Sequence, residues 1–419
     1  MEKLKVFGAN KLKGHVRISG SKNASLPILA ATLLSTKKIY LNNIPKVKDI
    51  ETMLSLLDSL GSKIKINKKK NSLEIDNSKI LKTFAPYSLV KTMRAGILVL
   101  GPLLARFNNA TVSFPGGCLI GSRPIDIHLK ALARLGVHYK IIKGYVHATA
   151  PNGLIGAKIN FTKISVGATE NLIIASTMAE GKTYLSNCAI EPEIKDLVNF
   201  LNKMGCKIKW VGKRKIRILG TRVFKKINYS IMFDRIEAGT MLIAGALIKG
   251  NLNISKIEPR AIKTETDILK KMGVKMKILK NQIIVHGGKP IKNINISTSP
   301  YPGFPTDLQA QIMVLLCKAK KNSTIREKIF ENRFMHVPEL NRMGAKIKIN
   351  GNRAHVQGNI NFEGSEVIAS DLRASASLIL AALSARGKSI IHRIYHIDRG
   401  YEQIEKKLKK IGAKIQRIA

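Results

Sequence analysis

One sequence pattern recurs six times along this chain of 419 residues and limits the folds that the chain can adopt. Each copy is a helix-like run that ends in a large apolar residue and a glycine, followed by alternating lysine and apolar residues, as in residues 60–66. A period sustained at about 70 residues predicts six homologous units. The recurring glycines lie 68 to 75 residues apart, at Gly61, Gly136, Gly205, Gly273, Gly344 and Gly412.

The local pattern of each unit predicts its secondary structure. Glycine is favoured just after the last turn of a helix because it adopts the left-handed backbone conformation without strain, and the alternation that follows is typical of a half-buried strand. Each unit also contains an earlier helix that is apolar around most of its circumference, which indicates burial inside a domain. The predicted order in each unit is strand, helix, strand, helix, strand, strand. The buried helices are expected at residues 25–34, 88–105, 166–179, 235–248, 307–317 and 372–383.

The length and the repeats together predict the domain organisation. A chain of 419 residues is too long for one ordinary core, so we expect two domains. Six units divide into two sets of three, with helices inside and sheets outside. The predicted fold is therefore α/β, with two inside-out domains of three repeated units each. The space between two such halves is a natural ligand cleft.

Composition favours a globular protein of a reducing compartment. Hydrophobic residues make up 45% of the chain and charged residues 24%, and no segment is apolar for long enough to span a bilayer. The N-terminal residues lack the apolar core of a signal peptide. The four cysteines are far apart and form no CxxC pair, which argues against a zinc site and a disulfide framework. We therefore expect a cytoplasmic protein.

The formal net charge of +45 would by itself fit a nucleic-acid or an anionic-membrane partner. However, 53 of the 72 basic residues are lysines spread along the whole chain, and aromatic residues are only 5% with a single Trp. Proteins that read bases use arginine forks and stacked aromatic rings. We therefore expect a solvated lysine surface that attracts anionic small molecules, with no specific nucleic-acid partner and no membrane insertion.

A glycine-rich run at residues 114–128 places Cys118 five residues before Arg123. A cysteine near fixed positive charge can lose its proton at neutral pH and act as a nucleophile or a proton donor. The glycines favour a loop whose backbone comes close to a ligand. The alternative is a structural cysteine in a turn.

Other residues with useful chemistry lie mostly at predicted helix starts. Lys22 can meet an anion beside the free N–H groups of a helix, and residues 163–169 form a similar start. Asp307 at another helix start can accept a proton from a substrate hydroxyl that reaches it. Arg373 and Arg399 can bind phosphate or carboxylate through their planar forks. Ordinary helix caps, solvated lysines and structural ion pairs are the alternatives.

Several large enzyme classes are disfavoured. The sequence contains no HExxH, no GxxxxGK[ST] and no GxGxxG, which argues against a metalloprotease, a P-loop kinase and a dinucleotide-dependent dehydrogenase. The remaining set is a thiol, a carboxylate and several cations. These side chains favour chemistry on a phosphorylated or carboxylated substrate without a metal or a cofactor.

Eight motifs stand in order along the chain: SKNASLPILAA, PGGCLIGSRPIDIH, KISVGATE, FDRIEAGT, PGFPTDLQAQ, ENRFMHVPEL, DLRASASL and YHIDRGYEQIEKKL. With these motifs the sequence closely resembles the UDP-N-acetylglucosamine enolpyruvyl transferase family over essentially its whole length. The resemblance implies two inside-out α/β domains of three repeated units each. It also implies that the N-terminal strand joins the C-terminal domain. The implied domains are residues 22–231, which carry the Cys118 loop, and residues 1–21 with 232–419.

The resemblance implies transfer of the enolpyruvyl group of phosphoenolpyruvate to the 3′-hydroxyl of UDP-N-acetylglucosamine, by addition and then elimination of inorganic phosphate. In bacteria this reaction is the first committed step of peptidoglycan synthesis and takes place in the cytoplasm. The family needs no metal, and inhibition by the epoxide fosfomycin is implied. The nearest alternative is the sister enzyme that uses shikimate 3-phosphate, which lacks this cysteine loop.

By the same resemblance, Cys118 protonates the methylene carbon of phosphoenolpyruvate and can hold it covalently, while Asp307 lies near the attacking hydroxyl. Lys22, Arg123 and Arg399 match the cluster around the phosphate of phosphoenolpyruvate. The implied catalytic residues are Cys118, Asp307, Lys22 and Arg399. The implied substrate-binding residues are Lys22, Asn23, Arg94, Arg123, Pro124, Ile125, Asp126, Ile127, Lys163, Ile164, Ser165, Val166, Asp307, Ile329 and Arg373.

Overall fold

The structure is a computed structural model that describes residues 2–9, 11–116 and 125–419. Cys118, Arg123 and Pro124, which carry part of the predicted site, lie outside the described residues. The described chain splits into two compact units. We call residues 20–116 with 125–232 the first unit, and residues 2–9 and 11–19 with 233–419 the second unit.

Strands and helices alternate along most of the described chain. The strands are β1 (Lys3–Phe7), β2 (Gly14–Arg17), β3 (Ile39–Asn42), β4 (Lys63–Asn67), β5 (Ser72–Asp76), β6 (Phe84–Ala85), β7 (Asn109–Ser113), β8 (His138–Ile142), β9 (Tyr145–Thr149), β10 (Lys158–Asn160), β11 (Lys182–Ser186), β12 (Lys207–Gly212), β13 (Lys215–Leu219), β14 (Ile227–Ser230), β15 (Gly250–Ser255), β16 (Lys275–Ile278), β17 (Gln282–Gly287), β18 (Ile296–Ser297), β19 (Ser323–Arg326), β20 (Ile347–Asn350), β21 (Arg353–Val356), β22 (Glu366–Ile368), β23 (Lys388–His392) and β24 (Ile415–Ile418).

The helices of the described residues are short, and none of them has the length and apolar character that crossing a membrane requires. The α-helices are α1 (Lys22–Ala31), α2 (Lys48–Leu60), α3 (Tyr87–Val90), α4 (Leu100–Phe107), α5 (Asp126–Ala133), α6 (Val166–Ser176), α7 (Pro192–Lys203), α8 (Arg235–Leu247), α9 (Lys263–Lys271), α10 (Gln309–Cys317), α11 (Val337–Arg342), α12 (Leu372–Leu383), α13 (Tyr395–Asp398) and α14 (Ile404–Lys410). The 3₁₀ helices are Thr32–Leu34, Arg94–Val99, Pro259–Ile262 and Thr306–Leu308.

The strands of the described residues form six four-stranded sheets with one shared pattern. In the first unit the strand orders are β14-β3-β5-β4, β6-β7-β9-β8 and β10-β11-β13-β12. In the second unit they are β2-β15-β17-β16, β18-β19-β21-β20 and β22-β23-β1-β24. The first two strands of every order are parallel and the other neighbours are antiparallel. The predicted α/β fold of six repeated units is confirmed.

Strands from distant parts of the chain complete some of these sheets. β1 lies between β23 and β24, with Leu4 opposite Ile391 and Val6 opposite Ile415. β2 pairs in parallel with β15, and β14 pairs in parallel with β3. Because Leu4 and Val6 are fully buried, β1 is an integral part of the core of the second unit.

The helices form the centre of each unit and the sheets form its outside. Every residue of α8 from Arg235 to Ala246 is buried, as is every residue of α1 from Ala24 to Ala31. In the first unit α1 and α4 pack on α6, and in the second unit α10 packs on α8 and α12. The outer strands β4 and β16 are largely exposed and carry alternating lysines. This is the predicted inside-out arrangement, and it follows from helices that are apolar all round.

The recurring glycines occupy the backbone conformation that their position predicted. Their φ angles are +111° at Gly61, +89° at Gly136, +107° at Gly205, +87° at Gly273, +95° at Gly344 and +103° at Gly412. These angles lie in the left-handed region, which strains any residue with a Cβ. The glycine therefore ends the last helix before the outer strand of each unit.

The predicted helix over residues 88–105 is wrong in one respect, because the structure divides it. α3 ends at Val90, a 3₁₀ helix spans Arg94–Val99, and α4 begins only at Leu100. Pro102 accounts for the start of α4 at Leu100, because it has no N–H to donate and is tolerated in the first turn of a helix, where N–H groups have no intrahelical partner. The break puts Arg94 at the start of a 3₁₀ helix.

Gly101 sets the distance between α4 and α6. A Cβ at this position would lie 2.3 Å from Asn171 Oδ1 and 2.7 Å from its backbone oxygen. We expect Gly101→Ala to lower the free energy of unfolding by about 1 to 3 kcal/mol, because overpacking forces helices apart. Urea unfolding measures this change. The control is Gly212→Ala, whose Cβ would have no neighbour closer than 3.5 Å; equal losses in both variants would contradict the role of Gly101.

Candidate active site

Asp307 is the carboxylate at the centre of the predicted chemistry in the second unit. It lies in the 3₁₀ helix Thr306–Leu308 that leads into α10. Its Oδ1 accepts a hydrogen bond from Arg333 Nη2 and its Oδ2 one from Arg373 Nη2, each at 2.7 Å. The side chains of Arg333 and Arg373 are 4% and 7% exposed, whereas that of Asp307 is 26% exposed. The carboxylate is therefore held by two nearly buried arginines and remains partly accessible to solvent.

Local structure explains why the two arginines converge on Asp307. Arg373 is the second residue of α12, whose cap Asp371 accepts hydrogen bonds from the backbone N–H groups of Arg373 at 2.8 Å and Ala374 at 3.2 Å. Arg333 also donates to the backbone oxygen of Thr306 at 3.4 Å. Burial is the largest single effect and lowers the pKa of Arg373, but the charge and hydrogen bond of Asp307 together with the nearby Tyr401 and Asp234 outweigh it, so the pKa lies above its ordinary value. The guanidinium stays charged.

A buried hydrogen-bond network supports the backbone of Asp307. Gln311 Nε2 on α10 donates to the backbone oxygen of Asp307 at 3.0 Å and to the Tyr401 hydroxyl at 3.2 Å. That hydroxyl lies 2.8 Å from Thr240 Oγ1 on α8, and the Arg373 guanidinium lies over the Tyr401 ring at 5.6 Å. Burial raises the pKa of Tyr401, so the phenol stays neutral. The network fixes Asp307 to two central helices of its unit.

Lys22 and Asn23 are the first two residues of α1 in the first unit. Ser21 caps this helix, its hydroxyl accepting from the backbone N–H of Ala24 at 3.2 Å. Lys22 Nζ lies 3.0 Å from Asp49 Oδ2, and the two side chains are 11% and 8% exposed. A fixed ammonium group thus stands at the positive end of a helix, where an anion is stabilised.

A second cluster of predicted residues gathers around His128 on α5. Ile125 caps α5, and Asp126 and Ile127 are its first residues. His128 Nδ1 lies 3.2 Å from Asn171 Nδ2 on α6, whose Oδ1 accepts from the Gly101 N–H at 2.8 Å. Burial first, and then the charge of Arg94, lower the pKa of His128 to about 4 against a weaker opposing effect of Asp126. The structure thereby brings Arg94 close to the start of α5.

The start of α6 meets the same histidine. Ser165 caps α6 and accepts from the backbone N–H of Ala168 at 3.3 Å, so residues 163–166 lead directly into this helix. A Cβ on Gly167 would lie 3.3 Å from His128 Cε1. Lys163 and Val166 are exposed, and Ile164 and Ser165 are half-buried. Residues predicted to bind the nucleotide sugar are thus brought together from α5, α6 and the 3₁₀ helix of Arg94.

The low pKa of His128 predicts a pH dependence of stability. Its folded value of about 4 lies below the ordinary 6.5, so the unfolded chain takes up the proton first as pH falls. The stability that neutral His128 contributes is present above pH 6.5 and is lost as pH falls toward 4, by up to about 3 kcal/mol. We expect His128→Asn to unfold with less acid sensitivity than the parent chain, measured by urea unfolding at pH 7 and pH 4.5. The exposed His138→Asn variant is the control, and parallel acid sensitivity in all three proteins would contradict this prediction.

The remaining predicted residues are placed as follows. Ile329 lies in the loop after β19, where its N–H donates to Glu327 Oε1 at 2.7 Å. Arg399 directly follows α13 and is half-buried. The burial of His396 is the main cause that lowers the pKa of this histidine, and the charge of Arg399 lowers it as well. Asp307, Ile329 and Arg373 are thus grouped in the second unit. Among the described residues no cluster of three or more His, Cys, Asp or Glu side chains could hold a metal ion.

Three residues of these clusters were missed by sequence analysis. Arg333 carried a usable signal, because only 19 of the 72 basic residues are arginine and it stands in one of the ordered motifs. Asn171 also carried one, as a polar residue inside an apolar helix. Glu327 carried none, because its burial depends on strands and loops that are distant in sequence.

Comparison with known proteins gives the family. The family model described as EPSP synthase (3-phosphoshikimate 1-carboxyvinyltransferase) matches residues 6–408. The chain belongs to this family. It is 72% identical over 418 residues to the UDP-N-acetylglucosamine 1-carboxyvinyltransferase of Pelagibacter ubique (strain HTCC1062), covering 100% of both chains. It is 50% identical to the protein of the same name from Coxiella burnetii (strain RSA 493 / Nine Mile phase I), covering 100% of this chain and 96% of the relative. The predicted resemblance is confirmed.

Solved structures of other proteins share the fold. The enolpyruvyl transferase NikO from Streptomyces tendae superposes with a TM-score of 0.91 at 24% identity, covering 99% of this chain and 98% of that one. The EPSP synthase of Acinetobacter baumannii superposes with a TM-score of 0.78 at 16% identity, over 100% of both chains. At these identities the likeness concerns the fold, and it agrees with the repeated α/β units described above.

Proposed function

We propose that this chain is an enzyme that transfers the enolpyruvyl group of phosphoenolpyruvate to the 3′-hydroxyl of UDP-N-acetylglucosamine, with release of inorganic phosphate. The observation that carries the proposal is its 72% identity, over its whole length, to a relative named for this reaction. The geometry of Asp307 supports it, because an accessible carboxylate backed by two arginines suits a substrate hydroxyl. The step commits precursors to peptidoglycan.

The proposed reaction is an addition followed by an elimination. The acceptor oxygen bonds to C2 of phosphoenolpyruvate, C3 gains a proton, and the hydroxyl loses its proton. The tetrahedral intermediate then loses a proton from C3 while the bond between C2 and the phosphate oxygen breaks. The products are the enolpyruvyl ether and inorganic phosphate, so the enzyme must supply a proton donor at C3 and stabilise a departing phosphate.

The roles of the residues are proposed from the resemblance and supported by their surroundings. Cys118 gives the proton to C3 and can hold the enolpyruvyl group covalently. Asp307 accepts a hydrogen bond from the acceptor hydroxyl. Two guanidinium groups stabilise the negative charge of this carboxylate, which makes it a weaker base. Asp307 is therefore proposed to orient the hydroxyl for attack and not to remove its proton beforehand. Lys22, Arg123 and Arg399 neutralise the phosphate as its charge develops.

The nucleotide sugar is proposed to bind through residues around His128 and through part of the second unit. Residues at the starts of α5 and α6 offer backbone N–H groups and the positive ends of two helix dipoles, which suit the anionic diphosphate. Lysine-rich outer strands add a positive field that raises the encounter rate with both anionic substrates at low salt. The proposed contacts are Asn23, Arg94, Arg123, Pro124, Ile125, Asp126, Ile127, Lys163, Ile164, Ser165, Val166, Asp307, Ile329 and Arg373.

We also propose a cytoplasmic location and inhibition by fosfomycin. The family resemblance described above implies both. The described cysteines Cys188, Cys206 and Cys317 are buried and free of disulfides, which suits a reducing compartment.

Release of phosphate from phosphoenolpyruvate tests the proposed function. The purified chain is mixed with phosphoenolpyruvate and either UDP-N-acetylglucosamine or shikimate 3-phosphate, and phosphate is measured. We expect release only with the nucleotide sugar. Release only with shikimate 3-phosphate would assign the chain to the sister reaction, and no sugar-dependent release would overturn the proposal.

A further inference from the structure

We propose that Glu327 is a positioning residue that holds Asp307 and Ile329 in fixed relation to each other, so that the acceptor hydroxyl and the rest of the nucleotide sugar are aligned together. This inference rests on the function proposed above. Glu327 directly follows β19 and is 2% exposed. It is a buried carboxylate to which sequence analysis gave no role.

One oxygen of Glu327 holds the segment of Asp307. Thr306 Oγ1 donates to Glu327 Oε2 at 2.9 Å, and Thr306 is the residue directly before Asp307. The backbone oxygen of Thr306 accepts from Arg333 at 3.4 Å. Thr306 is therefore fixed on two sides, by its hydroxyl and by its carbonyl, and the position of Asp307 follows from that of its neighbour.

The other oxygen of Glu327 holds the segment of Ile329. Oε1 accepts from the backbone N–H groups of Ile329 at 2.7 Å and Phe330 at 3.3 Å. Thr298 Oγ1 donates to the same oxygen at 2.7 Å and accepts from the N–H of Lys328 at 2.9 Å. The loop after β19 is thus wrapped around the carboxylate, and the N–H of Ile329 points back into the protein.

The circuit closes through Arg333. Its guanidinium lies 5.7 Å over the Phe330 ring and also binds Asp307 Oδ1 at 2.7 Å. One path of contacts runs from Glu327 through Thr306 to Asp307. The other runs from Glu327 through Phe330 to Arg333, and the ion pair between Arg333 and Asp307 joins the two paths. A displacement of either segment must strain the other.

A charged acceptor suits this role better than a neutral one. Hydrogen bonds to a carboxylate are shorter and stronger than those to an amide, and the donors to Glu327 come from three separate segments. A buried carboxylate is unfavourable unless such donors satisfy it. Because misplacement of a reacting group by about 1 Å can cost roughly 100-fold in rate, even slight loosening at Glu327 is expected to slow the reaction.

The experiment uses a matched pair at Thr306 and a charge-removing variant at Glu327. Thr306→Val keeps the shape but removes the hydroxyl, whereas Thr306→Ser keeps the hydroxyl. We expect Thr306→Val to lower kcat about 10-fold with an unchanged KM for phosphoenolpyruvate, and Thr306→Ser to stay within about threefold of the parent. Glu327→Gln loosens both segments, so we expect a lower kcat together with a higher KM for UDP-N-acetylglucosamine.

The control is Glu339→Gln. Glu339 also accepts a backbone hydrogen bond, from the N–H of Ile368 at 2.9 Å, but it has no role in the proposed site. We expect its kinetics to match the parent. Thermal melting of every variant separates a loss of folded protein from a loss of alignment.

Each outcome decides the inference. Thr306→Val and Glu327→Gln that melt earlier but keep the parent kcat and KM would show a purely structural role and overturn it. Equal losses in Thr306→Val and Thr306→Ser would also overturn it, because the hydroxyl would not matter. A parent chain without sugar-dependent phosphate release would overturn the proposed function and this inference together, whereas an active parent with unaffected variants would overturn only the inference. If Glu327→Gln fails to fold, the Thr306 pair still decides.

Discussion

Asp307→Asn is expected to lower kcat for sugar-dependent phosphate release by about 100-fold or more. The carboxylate is held at 2.7 Å by each of two nearly buried arginines and keeps an accessible face, so its loss removes both the charge and the alignment that the acceptor hydroxyl needs. The KM for phosphoenolpyruvate is expected to change little, because Asp307 is proposed to contact the other substrate. Steady-state kinetics with each substrate varied in turn measures both effects.

Stability must be followed in the same variant. The substitution leaves the buried guanidinium groups of Arg333 and Arg373 without their counter-charge. An uncompensated buried charge lowers the free energy of unfolding by up to about 3 to 5 kcal/mol. Assays well below the melting temperature keep this loss apart from the kinetic one. Asp267→Asn, on the surface of α9, is the control and should retain the parent kcat. A kcat of Asp307→Asn within threefold of the parent would remove Asp307 from the proposed chemistry.

Cys118→Ala is expected to lower kcat by about 100- to 10,000-fold, because it removes the group proposed to protonate C3. Cys118→Asp should remain active, since a carboxylic acid can also donate a proton. It should also resist fosfomycin, because inactivation requires the sulfur to attack and open the epoxide. Phosphate release and the rate of inactivation by fosfomycin measure the two properties.

The other described cysteines act as internal controls for the fosfomycin experiment. Burial raises the pKa of the Cys188, Cys206 and Cys317 thiols to about 12, so they are almost entirely protonated at neutral pH and unreactive. Intact mass spectrometry of the inactivated parent should therefore show one adduct, located at Cys118 by peptide mapping. Adducts on a buried cysteine, or inactivation of Cys118→Asp at the parent rate, would refute the assignment.

Periodic features of the fold could be predicted from sequence because they depend on local physics. Gly61 and its five counterparts were recognisable from their spacing, and each adopts the left-handed conformation that ends a helix. Asp307 was recognisable because the start of a helix is also a local feature of the sequence. The prediction of a single helix over residues 88–105 was wrong because the apolar periodicity continues across the break, whereas Pro102 favours a new helix start at Leu100.

The parts that could not be predicted from the residues alone depend on long-range pairing. Nothing local to residues 227–230 indicates that they pair in parallel with β3. Glu327 looks like any surface glutamate in the sequence, yet Thr298 and Thr306, 29 and 21 residues before it, turn it into a buried acceptor. Arg333 similarly becomes part of a site only because Asp307 is brought to it.

The position of β1 in the second unit has a consequence for biosynthesis. β1 leaves the ribosome roughly 380 residues ahead of its partners β23 and β24. At about 5 to 20 residues per second, these partners follow roughly 20 to 80 s later. The first unit can complete its sheets while translation continues, whereas the N-terminal strand must wait, with unpaired edges that invite aggregation. The sheet that contains β1 is therefore completed only after β24 has been made, and β1 is exposed to chaperones and proteases during that interval.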